Sequence, residues 1–227
     1  MKWKVPKLWE GSTAIIIGGG PSMLKQFNVP DSIIQDVYAG KIQPSAYSPY
    51  LEQIHKSHVI AVNVAYKIGT WIDVVFFGDP STWQEDKANL VQFKGLRVTC
   101  AKELDNDTRL KWLQRDPRKR HGISTNPEMV SWNNNSGAAA INLAVHMGAK
   151  RIILLGFDMK LDKEKNQHWH KFYSTSEKQI ASAFRRHLTG FREIKQDADQ
   201  LGIEIINANP DSAITQFPRM NFKDIKL

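Results

Sequence analysis

Along this chain the apolar residues gather in short runs rich in β-branched side chains, with polar or helix-compatible stretches between them. That alternation predicts an α/β domain on a mainly parallel sheet. The runs that read as strands are Thr13 to Ile17, His58 to Val62, Ile72 to Phe77, Leu96 to Cys100, Arg151 to Leu155 and Ile203 to Asn207. Stretches such as AIII, DVVFF and RIILL are apolar at consecutive positions, which suits strands covered on both faces by helices.

Two segments carry helical spacing. In the stretch from Ser136 to Gly148, residues Ile141, Ala144, Val145 and Gly148 share one face, and Ser136 stands where an N-cap belongs. The second segment runs from about Ser176 to Gln200, with Ile180, Phe184, Leu188, Phe191, Ile194, Ala198 and Leu201 on one stripe. Gly190 interrupts it, and glycine inside a helix costs about 1 kcal/mol relative to alanine, so two helices with a joint near His187 are the alternative. Residues 111–132 are polar and proline-containing, which predicts a long surface loop or lid, and 159–178 is a second candidate lid. No repeat or linker divides the chain, so residues 1–227 are expected to form a single domain.

Composition narrows the class. At 227 residues the chain is long enough to bury roughly 70–75% of its unfolded surface without disulfide staples. Its 41% apolar and 24% charged content excludes disordered, collagen-like and cysteine-framework proteins. A lone Cys100 cannot form an internal disulfide, which fits a reducing cytoplasm. Lys2, Lys4 and Lys7 have no apolar run behind them and no stretch is apolar for long enough, so neither a signal peptide nor a membrane span is expected.

The net charge of +8 favours anionic partners: nucleotides, nucleic acids or acidic sugars. Arg115, Arg118, Lys119, Arg120 and His121 form the densest basic stretch, and Arg185, Arg186, His187, Arg192 and Lys195 a second. Each cluster alone reads as a solvated face. Neither has the interleaved aromatics of a single-strand stacking platform, so nucleic acid is the less favoured partner.

The segment TAIIIGGGPSM is the most informative. An apolar strand runs into Gly18, Gly19, Gly20, Pro21 and Ser22, a turn that brings backbone N–H groups and a helix N-terminus toward an anion. It is not a dinucleotide fingerprint, because Met23 stands where the third small residue belongs and the second strand ends in Asn63 and not in an acid. Nor does it have the Gly-Lys-Ser/Thr end of a P-loop. Further polar residues fall where strands end, the edge at which open parallel sheets bind ligands: Asn63, then Asp79 and Ser81, then Asn135, Ser136 and Gly137 at the central helix, then Gly156 and Asp158.

Taken in order, GGGPSM, VIAVNVAY, VVFFGDPS and NNSGAAAINLAVHMGAKRIILLGFDM resemble the bacterial sialyltransferases that use CMP-sialic acid. The same resemblance takes in motility-associated glycosyltransferase-like proteins and archaeal hydroxymethylpterin pyrophosphokinase. It implies a Rossmann-like fold of the GT-A type, a mainly parallel sheet of about six or seven strands with helices on both faces. It further implies a metal-independent glycosyltransferase needing no cofactor, with a nucleotide sugar (a CMP-sugar first) as donor and an acceptor still to be identified. Gly18, Gly19, Gly20, Pro21, Ser22, Asn63, Asp79, Ser81, Asn135, Ser136, Gly137, Gly156 and Asp158 would then line the nucleotide pocket. Two positions depart from the sialyltransferases: Gly19 and Asp79 each stand where those enzymes carry asparagine.

Sugar transfer needs a base for the acceptor hydroxyl and donors for the departing phosphate. The resemblance points to His187 for the base, with burial on the apolar stripe as its competing role. His168 and His170, in NQHWHKFY, form an alternative pair on an acceptor-side loop. Tyr173 is the candidate donor to the leaving phosphate, with Arg185 and Arg186 as charged substitutes. The alternative reaction is pyrophosphoryl transfer from ATP to a small alcohol, with Mg²⁺ held by Asp79 and Asp158. A non-catalytic nucleotide-binding or nucleic-acid-binding module is the third reading, and an oligomer is compatible with any of them.

Overall fold

The computed structural model describes residues 3–172 and 177–227. In chain order these form β1 (Thr13–Ile17), α1 (Ser22–Gln26), α2 (Asp31–Tyr38), β2 (His58–Val62), β3 (Val74–Phe77), α3 (Pro80–Gln92), β4 (Leu96–Thr99), β5 (Lys111–Trp112), β6 (Gln114–Arg115), β7 (Met129–Val130), α4 (Ser136–His146), β8 (Arg151–Leu155), α5 (Glu177–His187), α6 (Phe191–Gln200) and β9 (Glu204–Asn207). Seven of the strands make one parallel sheet in the order β5-β4-β3-β2-β1-β8-β9, and β6 pairs with β7 in a separate ribbon. The architecture is α/β and Rossmann-like. β1 lies in the interior of the sheet, with Ile15 opposite Val59 on one side and Ile153 on the other.

Successive β1 side chains enter opposite cores, as the two-residue period of a strand requires. Ala14 and Ile16 pack with α4 and α6 through Ala140, Ile141, Leu143, Phe191 and Ile194. Ile15 and Ile17 pack on the other face with Met23, Tyr47, Leu51, Trp83 and Trp169. Each large aliphatic side chain buried this way contributes about 1.5–3 kcal/mol relative to exposure.

Three strands are shorter than the apolar pattern predicts, each for a local reason. β3 starts at Val74 because the Asp73 carboxylate accepts the Val59 N–H at 2.8 Å. β4 stops at Thr99, and the Cys100 carbonyl turns to accept from Arg115. β9 begins at Glu204 because the Ile203 N–H still donates to Ala198 at the end of α6.

The long amphipathic stretch is two helices, α5 and α6, joined by the 3-10 turn Leu188–Gly190. A Cβ on Gly190 would stand 2.4 Å from Asn133 Oδ1, so the joint is built around the fully buried Asn133. Ser136 is not the cap of α4 but its first residue. Asn135 is the cap, its Oδ1 accepting from the N–H groups of Gly137 and Ala138.

Segment 111–132 departs most from expectation. Leu113, Ile123 and Val130 are buried in the core, and side chains from two helices hold the backbone in place. Asn142 of α4 accepts the N–H groups of Ser124 and Ser131 and donates to the Ser124 carbonyl. Asp197 of α6 accepts from the Ile123 N–H and from Lys119. This part of the chain is a packed wall and not a surface loop. Among the described residues no helix is long and apolar enough to cross a membrane.

Candidate active site

A cleft of about 380 Å³ opens at the carboxyl edge of the sheet. Its centre lies beyond the ends of β1 and β8, which neighbour each other while the chain between them builds outward through β2, β3, β4 and β5. This is the switch point at which open α/β sheets bind ligands.

The glycine turn after β1 forms the floor. It does not present a ring of free N–H groups, contrary to the sequence expectation: Gly18 donates to Leu155, Gly20 to Gly156 and Ser22 to Asp158. None of the three glycines has a positive φ. They are required by close packing, since a Cβ on Gly19 would lie 2.6 Å from His168 Nδ1 and one on Gly20 would lie 2.5 Å from Asp158 Cγ. Gly156, in contrast, has φ +69° where its backbone crosses that of Gly20.

Asp158 is buried beneath this floor. It accepts from the Ser22 N–H, the Ser22 hydroxyl and Asn209 Nδ2. Burial pushes its carboxyl above the usual range while those bonds oppose the shift. Its oxygens are spent on locking the turn to the segment after β8, which leaves it a poor metal carrier. Among the described residues no group of three or more His, Cys, Asp or Glu side chains is arranged to hold a metal ion.

A second clamp comes from residues 167–170. Trp169 donates its backbone N–H to Gly19 and its indole N–H to Gly18, both at 2.9 Å, and the hydroxyl of Tyr38 donates to the His168 carbonyl. His168 and His170 stack with ring centroids 4.9 Å apart. Burial pushes His168 down to about 4 and His170 down to about 3. Both rings are neutral at pH 7, with His168 against Gly19 and His170 stacked behind it.

His187 reaches the same cleft from the last turn of α5. Burial and then Arg186 lower its pKa, and Asp79 opposes them. It lines the cleft from a helix end, whereas His168 and His170 are stacked on each other beside the turn, which makes His187 the better placed proton acceptor. Asn63, just after β2, takes the left-handed conformation at φ +54°, and its Oδ1 is shielded and has no hydrogen-bond partner among the described residues.

The opposite wall holds residues that sequence reading missed. The Cζ3–Cη2 edge of the Trp132 indole packs against Gly78, where a Cβ would meet it at 2.0 Å. Over that indole, 3.9 Å from its centroid, sits the Arg115 guanidinium. Arg115 donates to the carbonyls of Gly78 (2.6 Å) and Cys100 (3.1 Å), and the Gly78 N–H donates to the Ser136 hydroxyl oxygen. In sequence Arg115 opens a basic run. What separates it from its neighbours is its place on β6, which turns it inward while Arg118 and Arg120 stay exposed.

Of the residues singled out from sequence, Gly18, Gly19, Gly20, Asn63, Asp79, Asn135, Ser136, Gly137, Gly156, Asp158, His168, His170, Arg186 and His187 line this cleft. Pro21 and Ser22 instead line a smaller pocket on the far side of Asp158, with Lys25 and Lys160. Ser81 and Arg185 are exposed and outside the cleft lining. Tyr173 lies outside the described residues.

No protein-family model matches the chain, and no curated protein matches it. Solved structures do. The sialyltransferase CstII from Campylobacter jejuni, in complex with a substrate analogue, cytidine-5'-monophosphate, superposes with a TM-score of 0.51 at 13% identity, over 92% of this chain and 84% of that one. The MAf glycosyltransferase from Magnetospirillum magneticum AMB-1 superposes with a TM-score of 0.57 at 10% identity, over 98% of this chain and 36% of that one. The present chain therefore corresponds to about a third of the MAf protein's length. These likenesses establish a fold shared with both transferases.

Proposed function

We propose that the protein is a glycosyltransferase that takes its sugar from a nucleotide donor, a cytidine nucleotide first, and needs no metal ion. The observation that carries the reading is the cleft at the switch point of the sheet, lined together by His187, by Asn63, whose Oδ1 has no partner among the described residues, and by two arginines, Arg115 and Arg186. Support comes from the fold, shared with a sialyltransferase solved with cytidine-5'-monophosphate.

In this reading His187 takes the proton of an acceptor hydroxyl as its oxygen attacks the anomeric carbon. The bond from that carbon to the donor phosphate breaks, and its electron pair leaves on the phosphate oxygen. Asp79 steadies the imidazolium that forms. Cationic side chains meet the charge growing on the phosphate, the role that a divalent ion fills in metal-dependent transferases.

Thermal unfolding with CMP, CDP, UDP, GDP, ADP and ATP, each with Mg²⁺ and with chelator, tests it. A ligand at 100 times its dissociation constant adds about 2.7 kcal/mol of stability. The expected result is stabilisation by CMP that survives chelation, and a His187→Ala variant that binds CMP as before but turns over at least about a hundredfold more slowly. Stabilisation by ATP with Mg²⁺ alone would replace this reading with pyrophosphoryl transfer, and no stabilisation by any nucleotide would end it.

A further inference from the structure

We propose that Arg115, seated on Trp132 beside Ser136, is the anion seat of the cleft and holds an oxyanion of the bound donor. The proposal rests on the nucleotide-sugar reading and assigns a residue that neither the glycine turn nor the histidines suggested.

Several observations converge on it. The guanidinium is fixed before any ligand arrives: it donates to two carbonyls, those of Gly78 and Cys100, and sits over an indole whose edge is pressed onto Gly78. The strand that carries it, β6, pairs with β7, and the chain on either side of β7 is anchored at Ile123, Ser124 and Ser131 by Asp197 and Asn142, so the side chain is presented by a packed wall. Among the described residues Arg115 forms no ion pair, although it lines a cleft. A planar cation held in this way offers its remaining donors as a fork to a phosphate or carboxylate.

Ser136 completes the seat. Its oxygen accepts the Gly78 N–H, and Gly78 is the residue whose carbonyl Arg115 holds, which leaves the Ser136 hydroxyl hydrogen to donate into the cleft. The floor has little to offer beside this seat, because the N–H groups of Gly18, Gly20 and Ser22 are bonded within the protein. Two groups on a donor would fit the fork: the phosphate of the nucleotide and a carboxylate on the sugar.

Titration calorimetry of cytidine, CMP and a CMP-linked sugar acid on the wild type, Arg115→Gln and Arg115→Lys separates these sources. If the seat takes the phosphate, Arg115→Gln binds CMP about ten- to a hundredfold more weakly and cytidine as before, and Arg115→Lys recovers part of the loss. If it takes the carboxylate, CMP binds unchanged and only the sugar acid's added affinity disappears. Equal losses for cytidine and CMP would show that Arg115 merely braces the strand ends, and no loss for any of the three ligands would show it idle. Either result overturns the proposal. A wild type that binds none of the three ligands fails the nucleotide reading itself, an outcome distinct from loss confined to the variants.

Discussion

Gly20 has no room for a methyl group, and the reason is a carboxylate, not a ligand. Its Cβ direction is occupied by Asp158, as that of Gly19 is by His168. Gly20→Ala is therefore expected to destabilise the fold by about 1–3 kcal/mol, read from the midpoint of urea unfolding, because Asp158 must move and give up its bonds to Ser22. An unchanged midpoint would mean that the turn is looser than its packing indicates. The glycines were legible in the sequence as a special turn, but their cause was not. The side chains that demand them lie well over a hundred residues further along, and no local pattern connects the two.

At the scale of elements, buried polar side chains decide which segments are fixed. Asn142 sits in the middle of α4, an unremarkable position by helical spacing, yet its amide satisfies three backbone groups of the 111–132 wall. Asn142→Ala leaves those groups buried without partners and is expected to cost at least about 2 kcal/mol. Hydrogen exchange should show the loss concentrated at Ser124 and Ser131. Six of the nine described strands and α4 could be read because apolar runs and helical spacing are local signals, whereas β5, β6 and β7 are two residues each and carry no pattern. α2 and α3 went unread: α2 shows a single buried residue, Val37, and α3 bends at Asp86, so neither displays a continuous stripe. The wall itself was read as a lid because its polar residues look solvent-directed until Asn133, Asn142 and Asp197 supply their partners. The cleft was legible as a set of strand ends, whereas Arg115 and Trp132 became visible only once the β6–β7 ribbon had placed them.

For the molecule as a whole, the clamped histidines set the response to acid. An unfolded histidine titrates near about 6.5, whereas burial holds His168 and His170 at about 4 and about 3. Between these values the unfolded chain binds more protons than the folded one. Stability is therefore complete above about pH 6.5 and declines as the pH falls toward about 3. Urea midpoints should drop steadily from neutral pH to pH values near 4.5, with a shallower decline in His170→Gln, and a flat profile over that interval would contradict the assignment. The sheet order has one further consequence, for synthesis. β1 leaves the ribosome well over a hundred residues before its partner β8, and the Leu155, Gly156 and Asp158 groups that hold the glycine turn are made together with β8. Until then one edge of an apolar strand has no partner, so a nascent chain stalled before β8 should depend on chaperones, and the cleft cannot exist until β8 has been made.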